Sequence, residues 1–201
     1  MKDFELIASY LRRVYEKRLT TCFGGNISIR ETDYFIISET GIDKSIIDEN
    51  NISCVSYDNI VLNNVVPSSE YRIHSEIYKN HANINAIIHA HPPFATAYAL
   101  SNANLDTRIS SEMYKNLGKV VVSKYAAPGS SELASVVSDA AYEGNTIIMK
   151  NHGVIVLADN IHKAYYMLEL LEQLAKMSFV ITLIGNKETI ESEKLFLLGG
   201  K

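Results

Sequence analysis

Residues 86–94 read AIIHAHPPF, an apolar and β-branched run that ends in two histidines and two prolines. The run is typical of a buried strand, and Pro92-Pro93 ends it because proline cannot donate to a sheet ladder. Alternate side chains of a strand share one face at roughly 6–7 Å, so His89 and His91 are predicted to point the same way. They are either half-buried packing residues or ligands of one metal ion, and the pair alone leaves both interpretations open.

A third histidine lies in a predicted hairpin, NTIIMKNHGVIVLAD, at residues 145–159. Gly153 permits a tight turn there, which places His152 at the tip of the hairpin. Three neutral imidazoles with one open position would be typical of a catalytic zinc site. Cys22 and Cys54 lack CxxC spacing, so they are not expected to be ligands. The other histidines fall on predicted helices and are expected to be structural or solvent-facing: His74, His81 and His162.

Predicted helices and strands alternate along the rest of the chain. Helices are predicted over residues 3–18, 69–80, 94–102, 130–144 and 161–184. Strands are predicted in two hairpins, NISIR with YFIIS and ISCVSYD with NIVLNN, and in KVVVSKY at residues 119–125. Several of the connecting turns are too short for parallel crossovers. The sequence therefore predicts an α/β fold, a three-layer α/β/α sandwich with a mixed, mostly antiparallel central sheet.

Length and composition favour one domain over residues 1–201. The chain is 47% hydrophobic and shows no repeat or linker, so it can bury one sizeable core. Its 19 basic and 23 acidic residues are spread along the length, which argues against nucleic acid or an anionic membrane as a partner. The sequence has no run of about 18 apolar residues, so no membrane span is predicted. The charged start MKDFELIASYLRRVYEK does not read as a signal peptide, so we expect a cytoplasmic protein with free thiols.

The segment VPSSEYRIH, residues 66–74, places Glu70 in the first turn of a predicted helix. The free amides of that turn and the hydroxyls of Ser68 and Ser69 suit a bound phosphate. Glu70 could then be a metal ligand or an acid/base group, or it could simply complement the helix dipole. Two further loops have anion-binding character, GGN at residues 24–26 and TG at residues 40–41, although each alone is more often an ordinary turn.

Five segments in this order resemble the class II aldolase/adducin family: GGNISIR, ISETGIDK, PSSEYRIHSEIY, AIIHAHPPFATA and MKNHGVIVL. The resemblance covers about residues 5–185, and the 18 residues between Glu70 and His89 match the spacing of the family. It implies a three-layer α/β/α fold, a bound zinc ion, and a homotetramer with active sites between subunits. It also implies a small phosphorylated sugar as substrate.

The resemblance also implies roles for individual residues. His89, His91 and His152 would hold the zinc, and Glu70 would be the catalytic acid/base that also touches the zinc of an empty site. The residues that would hold the phosphate are Gly25, Asn26, Thr40, Gly41, Ser68 and Ser69. The implied reaction is cleavage of a ketose phosphate such as fuculose 1-phosphate to dihydroxyacetone phosphate and an aldehyde, through a metal-stabilised enediolate. Three imidazoles can equally hold Co²⁺, Mn²⁺ or Fe²⁺.

One part of the sequence departs from the family. The aldolases of the family draw a tyrosine from the C-terminal tail, whereas ITLIGNKETIESEKLFLLGGK at residues 181–201 contains none. Tyr114 and Glu112 are candidates for the second proton-transfer group, and both are equally typical of a helix surface. A sugar-phosphate 4-epimerase or dehydratase with the same metal site is therefore the alternative function. A non-catalytic, adducin-like scaffold is less favoured because such relatives lose the histidines.

Overall fold

The protein is described by a computed structural model that covers residues 2–185 and 187–198. Within those residues seven strands form one sheet: β1 Asn26–Arg30, β2 Tyr34–Ser38, β3 Ile52–Ser56, β4 Ala86–Ala90, β5 Val120–Ser123, β6 Thr146–Met149 and β7 Gly153–Ala158. The α-helices are α1 Lys2–Glu16, α2 Tyr71–Asn80, α3 Pro93–Ala99, α4 Ser111–Leu117, α5 Ser131–Ala141 and α6 Ile161–Ile184. None of these helices is both long and apolar enough to span a bilayer.

The order of strands across the sheet is β3-β2-β1-β4-β7-β6-β5. Every neighbouring pair is antiparallel except β5 and β6, which run parallel and are joined through α5. This arrangement confirms the mixed, mostly antiparallel sheet that the short turns predict. It also places β4, which carries His89, in the middle of the sheet between β1 and β7.

Helices cover both faces of the sheet, which confirms the three-layer fold. Side chains alternate between the faces, so that Ile88 packs in the cluster formed with α1 and α6. Ile87 packs in the opposite cluster, with α2 and α5. His89 follows Ile87 on that second face, which directs its ring toward the start of α2.

The predicted strand at residues 59–64 does not form, and this part of the prediction is wrong. Only one isolated bridge, between Val55 and Val61, joins the segment to β3. The side chain of Asn63 takes the place of the missing strand, because its amide accepts from the Cys54 N–H at 3.0 Å and donates to the Ile52 carbonyl at 2.9 Å. A side chain that satisfies the backbone of an edge strand removes the need for a continuous ladder.

Helix α2 begins at Tyr71, two residues later than predicted. Glu70 stands at the cap position but makes no capping hydrogen bond, because its carboxylate is turned toward the histidines. Helix α4 lies in a segment for which no element was predicted. The other predicted helices and strands form within three residues of the expected bounds. The two cysteines, Cys22 and Cys54, are free, as predicted.

Helix α3 follows the last histidine of the HxH segment directly, and Glu172 of α6 holds its start. The Glu172 carboxylate is 3% exposed and accepts from the N–H of Ala95 at 2.9 Å and of Phe94 at 3.1 Å. These are amides of the first turn of α3, which have no partner inside the helix. The contact therefore ties the backbone that follows His91 to the longest helix.

We expect Glu172→Ala to lower the free energy of unfolding by about 1–3 kcal/mol, because it leaves buried N–H groups without an acceptor. Gln173→Ala, an exposed change one residue away on α6, should leave stability within about 0.5 kcal/mol of the wild type. Urea unfolding followed by circular dichroism measures both. Equal stability of the two variants would show that Glu172 does not hold α3.

Candidate metal and phosphate site

Three histidines converge where β4 ends and the β6–β7 turn begins. One ring nitrogen from each of His89, His91 and His152 lies within 4.8 Å of the others. The ring centroids are 4.6 Å apart for His89 and His91, 4.8 Å for His89 and His152, and 5.4 Å for His91 and His152. Nitrogen atoms gathered in this way can coordinate a single ion.

The sheet register brings these histidines together. His89 pairs with Ile155 of β7, so it lies close to the β6–β7 turn that carries His152. Asn151 takes a positive φ of 56° in that turn, a conformation that asparagine tolerates. His91 follows the last residue of β4, and its backbone N–H donates to the Leu19 carbonyl at 3.1 Å. Leu19, just after α1, therefore fixes the backbone that carries the His91 ring.

Two glycines pack against His91. A Cβ atom on Gly153 would lie 2.6 Å from Cδ2 of His91 and 2.8 Å from the Ala90 carbonyl oxygen. A Cβ on Gly24 would lie 3.1 Å from Nδ1 of the same ring. Gly153 was expected only to permit a tight turn, and the structure shows that it also makes room for the imidazole.

The Glu70 carboxylate is the fourth group at this point. Its Oε2 lies 3.0 Å from Nε2 of His89, and its Oε1 lies 3.2 Å from Nε2 of His152. Asn26 donates to Oε2 at 3.4 Å and to Oγ of Ser68 at 3.0 Å. Glu70 is 8% exposed, so this carboxylate is a buried anion held mainly by imidazoles.

The donor set fits a metal ion. Nδ1 of His89 lies 2.9 Å from the Val154 carbonyl, which can only accept, so this nitrogen carries the proton and Nε2 keeps a lone pair. Nε2 of His89, Nδ1 of His152 and Oε1 of Glu70 are buried without a hydrogen-bond partner among the described residues. Buried polar atoms without partners are costly, and a divalent cation would satisfy those that face the cluster.

The pKa values differ across the cluster: burial lowers the pKa of His89, but the Glu70 carboxylate outweighs burial and raises it. Burial raises the pKa of Glu70, but the neighbouring histidines, chiefly His89, outweigh it and lower that pKa to about 2. Burial together with His89 lowers the pKa of His91 to about 3, and the same two causes lower the pKa of His152. Neutral imidazoles are the form that binds metal.

The three loops expected to hold a phosphate are joined through their backbones and through Asn26. The Ser68 N–H donates to the Ser38 carbonyl at 3.0 Å, and the Thr40 N–H donates to the Val66 carbonyl at 3.1 Å. The side chains of Thr40 and Ser69 are exposed, whereas that of Ser68 is buried against Asn26. Gly25 and Gly41 both have positive φ, at 70° and 67°. The loops therefore lie side by side, and Asn26 links them to the Glu70 carboxylate.

Tyr114 and Glu112 lie elsewhere in the chain. Both belong to α4, where Glu112 accepts a hydrogen bond from the Tyr166 hydroxyl at 2.8 Å. Tyr114 lines a cavity of about 1130 Å³ with Arg108 and Lys119, and none of the histidines lines it. Within one chain, the structure does not bring these two residues to the histidine cluster.

Two of the remaining histidines, His81 and His162, make structural contacts, as predicted, whereas the third, His74, lies next to the site. His81 bonds to the Ser138 carbonyl, and His162 bonds to the Tyr10 hydroxyl. His74 is fully buried below Glu70, and its Nδ1 lies 2.6 Å from Oγ of Ser28. The position of His74 four residues after Glu70 on a helix was the signal that could have revealed this neighbour.

The family comparison agrees with this geometry. The model of the family described as Class II Aldolase and Adducin N-terminal domain matches residues 5–179. The chain therefore belongs to the class II aldolase and adducin family, as the sequence resemblance predicts. Class II aldolases are metal-dependent enzymes, and the histidine cluster can bind a metal.

Individual relatives carry out different reactions. The chain is 31% identical to an L-fuculose phosphate aldolase of Methanococcus maripaludis, over 86% of this chain and 93% of that protein. It is also 31% identical to a 3-oxo-tetronate 4-phosphate decarboxylase of Haemophilus influenzae, over 91% of this chain and 89% of that protein. A solved structure of an L-fuculose 1-phosphate aldolase matches with a TM-score of 0.88 and 29% identity, over 97% of this chain and 93% of that one. These relatives indicate an enzyme of the class II aldolase superfamily.

We expect Gly153→Ala to weaken metal binding by about ten-fold or more, since the new methyl group displaces His91. Gly144→Ala is the matched control, because a Cβ there would lie 2.7 Å from the Lys119 carbonyl, equally crowded but away from the histidines. It should lower stability without changing metal affinity. Competition with a chromogenic chelator measures both, and equal affinities would contradict this role of Gly153.

We expect His89→Ala to abolish metal binding, because it removes the ligand whose free Nε2 faces the other two histidines. Elemental analysis of protein purified without added metal should find about one divalent ion per wild-type chain and none in the variant. A variant that keeps its full metal content would place the ion somewhere other than the histidine cluster.

Proposed function

We propose that this protein is a zinc-dependent class II aldolase that cleaves a ketose phosphate, such as fuculose 1-phosphate, to dihydroxyacetone phosphate and an aldehyde. The observation that supports this most is the meeting of three imidazoles and a buried carboxylate beside loops suited to a phosphate. The L-fuculose phosphate aldolase relatives support the choice of substrate class.

In this proposal each group has one role. His89, His91 and His152 hold the metal. The phosphate is held by Gly25, Asn26, Thr40, Gly41, Ser68 and Ser69. A divalent cation bound there would supply the positive charge that stabilises the enediolate of dihydroxyacetone phosphate. Co²⁺, Mn²⁺ and Fe²⁺ suit the same ligands, so zinc is the leading choice rather than the sole one.

Glu70 moves the proton at carbon. In the condensing direction its carboxylate removes a proton from the hydroxymethyl carbon of dihydroxyacetone phosphate. The electron pair of the broken C–H bond then forms the new C–C bond to the aldehyde carbon. The aldehyde oxygen takes a proton from a second group, and cleavage is the reverse of these steps.

Decarboxylation is the second candidate, because it needs no proton donor for an aldehyde oxygen. Loss of CO₂ from a 3-oxo-tetronate 4-phosphate leaves the same enediolate, and one proton on carbon then gives dihydroxyacetone phosphate. The tail at residues 181–201 has no tyrosine to serve an aldehyde. The described part of the tail bonds to its own chain, with the Ile190 N–H donating to the Arg108 carbonyl at 2.9 Å. The decarboxylase relative supports this candidate as well.

A homotetramer with sites between subunits, a cytoplasmic location and a single domain over residues 1–201 belong to the same proposal. Tyr114 and Glu112 lie away from the histidines of their own chain, so any role for them in catalysis requires a second subunit. The last two turns of α6 expose apolar side chains that a neighbouring subunit would cover, among them Phe179, Leu183 and Ile184.

The products distinguish the candidates. We would incubate zinc-loaded protein with fuculose 1-phosphate, rhamnulose 1-phosphate, ribulose 5-phosphate and a 3-oxo-tetronate 4-phosphate, and follow all products by NMR. Release of dihydroxyacetone phosphate with an aldehyde supports the aldolase, and its release with CO₂ supports the decarboxylase. Conversion to xylulose 5-phosphate or loss of water would establish the epimerase or dehydratase alternative instead. No turnover of any of the four would contradict the proposed function.

We expect Glu70→Gln to keep the metal but to lower kcat by about a hundred-fold or more, because the amide cannot accept the proton from carbon. Metal content by elemental analysis and kcat by dihydroxyacetone phosphate release are the two measurements. Retained turnover would remove Glu70 from the proposed mechanism, and loss of metal would make it primarily a ligand.

A further inference from the structure

A line of polar side chains runs between β1 and α2 through an otherwise apolar core. We call it the β1–α2 polar seam, and its members are Asn26, Ser28 and Arg30 of β1 with Glu70, His74 and Tyr78 of α2 and its cap. Residues two apart on a strand share a face, as do residues four apart on a helix. The two series therefore face each other, and the seam ends at the Glu70 carboxylate.

Hydrogen bonds join the members of the seam in two groups. Asn26 donates to the Glu70 carboxylate at 3.4 Å. Oγ of Ser28 lies 2.6 Å from Nδ1 of His74 and 2.7 Å from the Tyr78 hydroxyl. Arg30 closes the far end by donating to the Tyr78 carbonyl at 2.7 Å.

The middle of the seam is completely enclosed. Ser28 and His74 are 0% exposed and Tyr78 is 2% exposed, and apolar side chains of α2, α5 and the sheet surround them. Burying three polar groups in such a core is costly unless their hydrogen bonds are satisfied. Apolar residues would fill the same space without that cost, so the packing alone does not account for the seam.

The hydrogen-bond pattern sets the direction of the donors. Ser28 is the one partner of the Tyr78 hydroxyl among the described residues, so Tyr78 donates to Ser28 and Ser28 donates to Nδ1 of His74. This order leaves only Nε2 of His74 without a partner. The reverse order would leave both that nitrogen and the hydroxyl proton of Tyr78 without one. Because Nδ1 accepts from Ser28, the single proton of the neutral His74 ring is on Nε2. That nitrogen is buried without a partner among the described residues.

A matching acceptor lies one helical turn away. Oε1 of Glu70 is also buried, and Nε2 of His152 lies 3.2 Å from it. Glu70 precedes His74 by four residues, the spacing of neighbours on a helix. The charge of Glu70 and the ring of His74 each act on the pKa of the other. The structure therefore places a buried ring nitrogen without a partner one helical turn from the Glu70 carboxylate.

We propose that His74 is a positioning residue, whose Nε2–H holds the Glu70 carboxylate when that carboxylate turns from the histidines toward the substrate. The inference rests on the proposed role of Glu70 as the group that moves a proton at carbon. Without this donor the displaced carboxylate would be a buried anion with only Asn26 to orient it, and fewer bound substrates would reach the reactive geometry. The loss falls on kcat rather than on metal or phosphate binding.

Two substitutions test the contributions of the two nitrogens of the His74 ring separately. His74→Asn keeps a polar atom near the position of Nδ1, facing Ser28, but removes the group at Nε2. His74→Gln places an amide N–H near the position of Nε2. We expect His74→Asn to lower kcat by about ten-fold or more with the KM and the metal content little changed, and His74→Gln to recover most of that loss.

His81→Asn is the matched control, because His81 terminates the same helix and bonds through Nε2 to the Ser138 carbonyl, away from the site. It should change thermal stability but not kcat. If the two His74 variants lose kcat equally, or only in proportion to their loss of stability, His74 is structural and the proposal is wrong.

A measurement without substrate separates this proposal from the proposed function. In protein labelled with ¹⁵N-histidine, NMR should show the proton of His74 on Nε2 and an unprotonated Nδ1. A proton on Nδ1 would overturn the proposal whatever reaction the protein performs. A proton on Nε2 in a protein that turns over none of the four substrates would contradict the proposed function and leave the assignment of His74 standing.

Discussion

The burial of the Glu70 carboxylate against His89 and His152 is the contact on which the rest of the site depends. An isolated carboxylate at 8% exposure would be neutralised by a raised pKa, yet neighbouring imidazoles lower the pKa of Glu70 to about 2. The charge is therefore kept at a place from which water is largely excluded. A buried charge of this kind needs partner groups from several secondary-structure elements. The register of the sheet brings those elements together.

Three separate constraints fix the position of that point. The pairing of β4 with β7 brings His89 to the turn that carries His152. The Leu19 carbonyl, just after α1, accepts from the backbone N–H of His91, and Glu172 anchors α3, the helix that follows His91. The β1–α2 polar seam sets the position of α2 along β1, and thereby the position of Glu70. Because each constraint uses a different element, the site is a property of the whole sheet rather than of one loop.

The sequence predicts the fold and the site correctly where residue chemistry and periodicity agree. It fails where a side chain replaces a backbone hydrogen-bond partner. The HxH spacing, the NHG turn and the alternation of the central strands predict the histidine cluster and the layered fold. The strand expected at residues 59–64 fails because the Asn63 amide binds the edge of β3. Helix α2 starts late because Glu70 faces the imidazoles instead of capping it. The proposed role of His74 depends on which ring nitrogen carries the proton, and spacing alone carries no such information.

We propose above all that this site forms and protonates the enediolate of dihydroxyacetone phosphate. Aldol cleavage and decarboxylation differ in the group that leaves, but both pass through that species. Exchange of a carbon-bound hydrogen of dihydroxyacetone phosphate with solvent therefore tests the claim without knowledge of the second substrate. In D₂O the metal-loaded protein should introduce one deuterium at the hydroxymethyl carbon, and the exchange should stop when the metal is removed. No deuterium in dihydroxyacetone phosphate, with one metal ion bound per chain, would contradict the account.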